Sequence, residues 1–358
     1  MSAETTADAW AQRATVAETA VNTRFGRRLF GLPGTWLAKI STAPAKKTEW
    51  HYWWQAHYLD CLVDAAWRRN QHREPVDLGL ARALLRGIRL RNFLILVNSF
   101  YDDMAWLALA VGRGQTLSEQ ALGRAFPGAR SARRVLGRQL RKAFTDDLGG
   151  GLFWSKKRDF KNTPVNGPAA LYFARDGEAE QAQHILDWLD GNLWDAEKQL
   201  YIDGIHLRPT GPEREETVWT YNQGPVLGAF CALPSALNLA RAVQLIDGVE
   251  RELSRGEHGG AVLLHGEGDS GLFTGILIRY LGVAARNAQL PDETREAARR
   301  MVFGTADAVW ATRSADGVFS KELGLNAEQA YPPGAAVGLS TQLQAWMILE
   351  TAHQLASA

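Results

Sequence analysis

The chain has 358 residues with a formal charge of +1, and 46% of its residues are hydrophobic and 22% charged, the proportions of a soluble globular protein. That length suits one large domain or two ordinary ones, and a single domain over 1–358 is expected. Basic and acidic residues are interspersed, so no basic face points to nucleic acid or an anionic membrane and neither is expected as a partner, and no run approaches the roughly 18 apolar residues of a membrane span.

The N-terminus carries Glu4, Asp8 and Glu18 without an uninterrupted apolar segment. It therefore shows no secretion signal and reads as cytoplasmic. Residues 6–29 are Ala-rich with Trp10, Val16, Ala20 and Val21 near helical spacing, the first predicted helix. Gly31, Pro33, Gly34 and Pro44 mark a loop over 31–50. The aromatic run from Trp50 to His57 leads into a helix with Trp54, Tyr58, Cys61, Leu62 and Ala65 on one face. Residues 78–97 form a further helix, which feeds the stretch Asn98-Ser-Phe-Tyr-Asp-Asp-Met-Ala-Trp-Leu-Ala-Leu-Ala110. From Met104 that stretch is apolar and helix-forming, and it is expected to end near Gly112.

Residues 118–145 predict two short basic helices broken at Pro127-Gly128. The glycine run at 149–151, before Phe153 and Trp154, suggests a loop that brings backbone close to something. Lys161-Asn-Thr-Pro-Val-Asn-Gly-Pro168 then opens into an apolar helix over 169–175, and another helix follows over 178–189. Residues 193–205 form a loop or small hairpin, with Asp203-Gly204 as its turn signal. Thr220-Tyr-Asn-Gln-Gly-Pro225 repeats the polar-then-apolar junction before a helix over 226–233. The remaining predicted helices cover 235–254, 272–283, 291–311 and 341–355, with a loop at 266–270.

Two kinds of helix alternate along this chain. Those starting near 104, 169, 226 and 272 are apolar all round and follow Gly, Asn or Asp; those from 131, 178, 235 and 291 are amphipathic. A helix apolar all round is buried, and an amphipathic one covers it from outside. The alternation predicts an all-α helical toroid, with an inner ring wrapped by an outer ring and the polar junctions gathered at one end. That shared end is the expected site. Cys61 and Cys231 lie in apolar helical contexts without metal-ligand spacing and read as core residues; no metal or cofactor is expected. Many of the 13 tryptophans adjoin Gly, Asp or Asn, and indole faces suit the C–H faces of sugars, although core packing is their commoner use.

Asp102 and Asp103 stand at the mouth of the apolar helix. One aspartate there suffices as a cap in the positive field of the helix N-terminus. A second adjacent carboxylate against an apolar segment meets repulsion and desolvation, and needs a separate reason. One cap with a solvated neighbour, or a catalytic pair, are the two readings of the residues alone.

Tyr101-Asp-Asp-Met-Ala-Trp-Leu-Ala-Leu-Ala110, Lys161-Asn-Thr-Pro-Val-Asn-Gly-Pro-Ala169 and Thr220-Tyr-Asn-Gln-Gly224 resemble signatures of glycoside hydrolase family 76. Phe273-Thr-Gly-Ile276 with Arg279-Tyr-Leu281, Tyr52-Trp-Trp-Gln-Ala-His57 and Gly150-Gly-Leu-Phe-Trp154 are similar to others, so the resemblance runs from about residue 50 to 350. It implies an (α/α)6 barrel and a retaining endo-α-1,6-mannanase acting on α-mannan or manno-oligosaccharides, with Asp102 as nucleophile and Asp103 as acid/base. Retaining glycosidases hold their carboxyls about 5–5.5 Å apart, a spacing that adjacent residues on a turning backbone can supply. The helix N-terminus would keep Asp102 ionised, and a drier setting beside that charge would keep Asp103 protonated.

Candidate substrate contacts are the junction residues Tyr221, Asn222, Gln223, Asn162 and Asn166, for which N-terminal capping is the alternative. Asp203, by default a turn aspartate, and the aromatics Tyr101, Trp54, Trp106, Trp154 and Phe273 complete the set. His51 and His57 read as scaffold. Thr274 stands where the family commonly has Lys, which puts one polar contact in doubt. The rival readings are a transglycosylase using the same pair, a mannan-binding protein without turnover, and a Mg²⁺-dependent helical enzyme of the prenyl-diphosphate type. The last wants a further carboxylate one turn on, where Trp106 stands. A monomer is expected.

Overall fold

The computed structural model describes residues 3–43 and 50–358. Six helices form the inner ring: α2 (Tyr52–Gln71), α4 (Tyr101–Leu122), α6 (Thr163–Arg175), α8 (Thr220–Ala232), α10 (Phe273–Ala285) and α13 (Leu339–Ala356). Each packs on the next, and α13 returns to α2 to close the circle. Six more lie outside: α1 (Ala3–Phe25), α3 (Gly79–Arg91), α5 (Ala129–Ala143), α7 (Ala179–Asn192), α9 (Ala236–Gly248) and α11 (Asp292–Ala311). A single turn, α12 (Ala327–Ala330), interrupts the loop between α11 and α13. The molecule is an (α/α)6 barrel: the two rings are those that the alternation of helix types predicts, and the sixfold count is the one that the family resemblance implies.

Composition explains which helix goes where. α10 (FTGILIRYLGVAA) is buried at every position but Val283, whereas α5 (ARSARRVLGRQLRKA) buries Ala132, Leu136, Leu140 and Ala143 along one stripe and turns its arginines outward. Small residues set the inner spacing. A Cβ at Gly228 of α8 would lie 2.6 Å from the Tyr280 ring of α10, so only glycine allows that approach.

Several boundaries differ from the sequence expectation. α4 runs through Gly112 to Leu122 and stops at Gly123, whose φ of 61° supplies a left-handed cap. A mid-helix glycine costs about 1 kcal/mol but does not stop a helix held by packing on both sides. α6 and α8 begin at Thr163 and Thr220, so Pro168 and Pro225 lie inside them rather than before them. Each proline forfeits one backbone hydrogen bond, which is why the sequence reads as a junction there. The helix expected over 78–97 ends at Arg91, and that expected over 235–254 leaves α-geometry at Gly248 for a π-turn over Val249–Leu253. The helix expected over 6–29 ends at Phe25, and Gly26–Arg27 instead pair with Leu37–Ala38 of the loop expected over 31–50; Pro44 lies outside the described residues.

The strands are richer than expected. Phe160–Asn162, Gly204–Arg208 and Gly211–Glu215 form an antiparallel sheet, with Asn162 opposite Gly204 and Gly204 opposite Glu215. The small hairpin pairs Trp194–Asp195 with Leu200–Tyr201. Its turn is therefore at 196–199, and Asp203-Gly204 instead leads into the three-stranded sheet. That sheet sits over the N-terminal ends of α6 and α8.

At the opposite end, the C-terminal parts of the inner helices surround a cavity of about 600 Å³ lined by Arg113, Arg175, Arg279 and Arg286 among others. Cations at that end meet the negative ends of the helix dipoles. Arg279 grips buried Asp64 through two bonds of 3.0 and 2.6 Å, and Arg113 reaches both Asp60 and Asp64. Burial alone would raise the Asp64 carboxyl, but the two guanidiniums outweigh it and bring it down to about 2.

Candidate active site

The N-terminal ends of the inner helices and the loops before them enclose a cleft of about 660 Å³. Asp102 and Asp103 occupy the first turn of α4, buried Phe153 and half-buried Trp154 lie on the neighbouring loop, and Asn162 caps α6 by accepting from the Val165 N–H at 3.3 Å. Eight of the expected residues line the cleft: Asp102, Asp103, Trp106, Trp154, Asn162, Asp203, Tyr221 and Phe273. Tyr221 and Phe273 stack with ring centroids 3.8 Å apart, and Trp53 leans on both at 6.5 and 6.3 Å. One wall is therefore a continuous aromatic surface, opposite carboxylates at the floor.

The glycine run at 149–151 does bring backbone close to something. The buried Lys161 ammonium donates to Thr145 O, Asp147 O and Gly150 O at 3.1, 2.5 and 2.5 Å. Gly151, at a φ of 78°, lies where a Cβ would be 2.5 Å from the Trp188 ring. This anchor fixes the loop that carries Trp154.

Five expected residues do not line the cleft. Asn166 is fully buried, and its amide is spent on Leu152 N, Leu152 O and Asn162 O. Gln223 is likewise buried, accepting from Tyr201 N at 2.8 Å and donating to Tyr201 O and Trp219 O at 2.9 Å each. Both tie a junction to its neighbouring strand or loop and have no group left for a ligand. Asn222 stands behind the wall and donates to Asp203 Oδ1 at 3.2 Å. Tyr101 is packed in the core. Trp54 is buried, stacked on His51 at 4.4 Å, with its Nε1 donating to Asp269 Oδ1 at 2.9 Å. Thr274 is fully buried behind Phe273, its hydroxyl donating to Leu263 O at 2.6 Å.

The structure adds groups that the sequence reading did not select. Asp269 reaches the cleft from the loop before α10, and its Oδ1 accepts from the indole N–H groups of Trp53 and Trp54 at 3.0 and 2.9 Å. The sequence signal was present: an acid between glycines, directly ahead of an apolar inner helix. Asn98, in the same stretch as the aspartate pair, donates to Asp103 Oδ2. Trp53, His51, Phe160 and Asn92 also line the cleft, together with Trp50, Tyr52, Ser99 and Phe100.

Both central acids are raised, which corrects the expectation that the helix N-terminus keeps Asp102 ionised: burial outweighs the dipole. Burial raises the Asp102 carboxyl to about 7, against hydrogen bonds from Trp154 and from backbone N–H groups that lower it, with Asp269 adding a further upward push. Asp103 is pushed well above the ordinary carboxylate range by burial and by the neighbouring charge of Asp102, with only Asn98 opposing. Both carboxyls are therefore held above the ordinary range, so the pair retains a proton near neutrality, with the stronger upward pushes on Asp103. Burial also raises Asp203 to about 6, partly offset by Asn222. His57, behind Trp106 at 4.9 Å, is held neutral by burial, its pKa lowered to about 3. Among the described residues, buried polar atoms without a protein partner include His57 Nε2, Asp102 Oδ1, Trp106 Nε1 and Asn222 Oδ1, all in or directly behind this cleft. Unpaired buried polar atoms are costly, and a concentration of them marks a place built for a polar ligand.

Solved structures share this architecture. The GH76A α-1,6-mannanase from Salegentibacter sp. HEL1_6 matches with a TM-score of 0.83 and 28% identity, over 97% of this chain and 99% of that one. An inactive variant of that enzyme, in which two consecutive aspartates are replaced by asparagine, is in complex with α-1,6-mannotriose; it matches at 27% identity and a TM-score of 0.84, over the same shares of each chain. The family 76 mannosidase Bt3792 from Bacteroides thetaiotaomicron, at 15% identity and a TM-score of 0.73 over 97% of this chain and 98% of that one, shares the fold. No curated protein sequence matches the chain. The sequence model of glycosyl hydrolase family 76 matches residues 10–356. That span takes in the closed ring and every loop that builds the cleft, so the chain belongs to glycosyl hydrolase family 76 and is a glycosidase.

Proposed function

We propose that this glycosidase is a retaining endo-α-1,6-mannanase, with Asp102 as nucleophile and Asp103 as general acid/base. The observation that carries this reading is the geometry of the pair: two adjacent carboxyls in the first turn of α4 line one cleft, Asp103 buried and bonded by Asn98, and Asp102 beside it with a buried oxygen, Oδ1, that has no protein partner. In the first step Asp103 gives its proton to the glycosidic oxygen while the Asp102 carboxylate bonds to the anomeric carbon and the leaving sugar departs. In the second step the Asp103 carboxylate takes a proton from water, whose oxygen attacks the anomeric carbon and releases Asp102. Two displacements at one carbon retain its configuration.

The choice of residues and of substrate is supported by the Salegentibacter enzyme, an α-1,6-mannanase whose variant lacking two consecutive aspartates is inactive. Consecutive aspartates occur twice in this chain, at Asp102-Asp103 and Asp146-Asp147. The second pair is exposed and lies outside the cleft. The aromatic wall of Trp53, Tyr221 and Phe273 offers faces for the apolar side of mannose rings, and Asp203, Asn162 and Asp269 offer acceptors or donors for hydroxyls.

The test is hydrolysis of linear α-1,6-manno-oligosaccharides by wild type, Asp102→Asn and Asp103→Asn, with the anomer of the first product read by NMR. Internal cleavage with retained α-configuration, lost in the variants, is expected. Inverted product, or variants as active as wild type, would overturn the assignment of roles. Chain-lengthened products in excess acceptor would replace hydrolysis with transglycosylation.

A further inference from the structure

The even overall charge conceals a local imbalance. Residues 78–101 contain four arginines, Arg82, Arg86, Arg89 and Arg91, and no carboxylate. Arg82, Arg86 and Arg89 are exposed on one stripe of α3, at helical spacing. Directly after α3 come Phe93, Leu94 and Ile95, which are 85%, 61% and 52% exposed. Three consecutive large apolar side chains in water are unusual at a position with no evident packing purpose.

Their exposure is built into the loop. Phe93 and Leu94 both hold left-handed backbone, with φ of 55° and 66°, which bulky residues rarely adopt without support. The support is present. Asn92 donates through its amide to Ile95 O and Val97 O at 3.2 and 3.0 Å, and Arg89 Nε donates to Leu94 O at 2.9 Å. Tyr52 of α2 donates to Leu96 O at 2.7 Å. The loop is also part of the cleft rim, because Asn92 and Asn98 on either side of it line the cleft. The neighbouring loop before α2 is joined to α3 by Trp36 N donating to Ala83 O at 3.0 Å. It exposes Phe30 and Leu32 beside Arg27 and Arg28.

We infer that Phe93, Leu94 and Ile95, with the Arg82–Arg86–Arg89 stripe, dock the cleft rim onto an anionic lipid surface. The apolar tip suits the acyl boundary, and the arginines suit lipid phosphates, the nearest acid in sequence being Asp77, which accepts from Gly79 N at the start of α3. Among the described residues no helix is long and apolar enough to cross a membrane, so the contact is peripheral. Its consequence is positional: glycan chains rooted in that surface would rise beside the cleft. Docking stands or falls independently of the reaction proposed above.

The full chain is tested by co-sedimentation with vesicles of phosphatidylcholine alone and of phosphatidylcholine mixed with phosphatidylglycerol. Binding to the mixed vesicles only, falling steeply as salt is raised, is expected. Phe93→Ser with Leu94→Ser should weaken it on the order of tenfold or more, as should Arg82→Gln with Arg86→Gln. Melting temperature and hydrolysis of soluble substrate should remain at wild-type values. Phe93→Trp in vesicles of brominated lipid provides a second reading, since insertion quenches the new indole. No binding to the anionic vesicles, binding equal in both vesicle types, or variants that bind like wild type would overturn the proposal. A wild-type dimer that becomes monomeric in the Phe93→Ser, Leu94→Ser variant, without vesicle binding, would instead assign the patch to a second copy of the chain.

Discussion

The aspartate pair makes the cleft expensive to fold, and the cost is measurable at Asp102. Burial moves its titration from the ordinary 3.8 to about 7. At roughly 1.4 kcal/mol for each pH unit, ionising it in the folded protein costs about 4 kcal/mol. Below pH 3.8 the carboxyl is protonated whether folded or unfolded and contributes nothing. Between 3.8 and 7 only the unfolded chain ionises, so stability falls as pH rises; above 7 the full loss is present. Asp102→Asn removes that loss, and because the hydrogen bonds that favour the ionised form are already counted in the value of about 7, a net gain of about 4 kcal/mol above pH 7 is expected. With an unfolding entropy of roughly 2.1 cal/mol/K per residue over this chain, the melting temperature should rise by about 5 °C. The assay is thermal unfolding by circular dichroism for both proteins from about pH 4 to pH 8. The variant should match wild type near pH 4 and diverge upward as pH increases, while losing hydrolysis. A difference independent of pH, or a variant less stable than wild type at pH 8, would refute the argument that burial of Asp102 is what lifts its titration.

Three further outcomes follow from the same geometry. Asp269→Asn removes a negative charge that raises both central acids, so the acid limb of the kcat/KM profile, set by Asp102 near 7, should move to lower pH; an unmoved limb would exclude that coupling. Gln223→Leu strips the partner from Tyr201 N–H and two carbonyls and should cost about 1–3 kcal/mol in urea unfolding, with KM unchanged because the amide does not reach the cleft. Arg279→Met leaves Asp64 without its two-bond partner and should destabilise by about 3–5 kcal/mol; a neutral result would mean that Arg113 alone neutralises that acid.

The alternation of all-apolar and amphipathic helices was enough to specify two concentric rings, because a helix with no polar face has nowhere to go but inside. The same reading placed the polar junctions at one end and put Asp102 and Asp103 among them, since two adjacent acids before an apolar helix demand a function or a partner. Local rules failed where tertiary packing overrode them. Gly112, Pro168 and Pro225 carry breaker signals, yet packing against the adjacent inner and outer helices holds their helices together. Side-chain direction was the larger gap. Tyr221, Asn222 and Gln223 are consecutive, but helical geometry sends only Tyr221 into the cleft, while Asn222 and Gln223 turn to Asp203 and to the Tyr201 backbone. Asp269 entered the site only through the folded loop, which delivers it to Trp53 and Trp54 across more than 200 residues of chain. Periodicity and composition report which face of a helix is buried. Which buried polar group meets a ligand and which meets another part of the chain depends on partners far away in sequence, and only the closed ring brings those together.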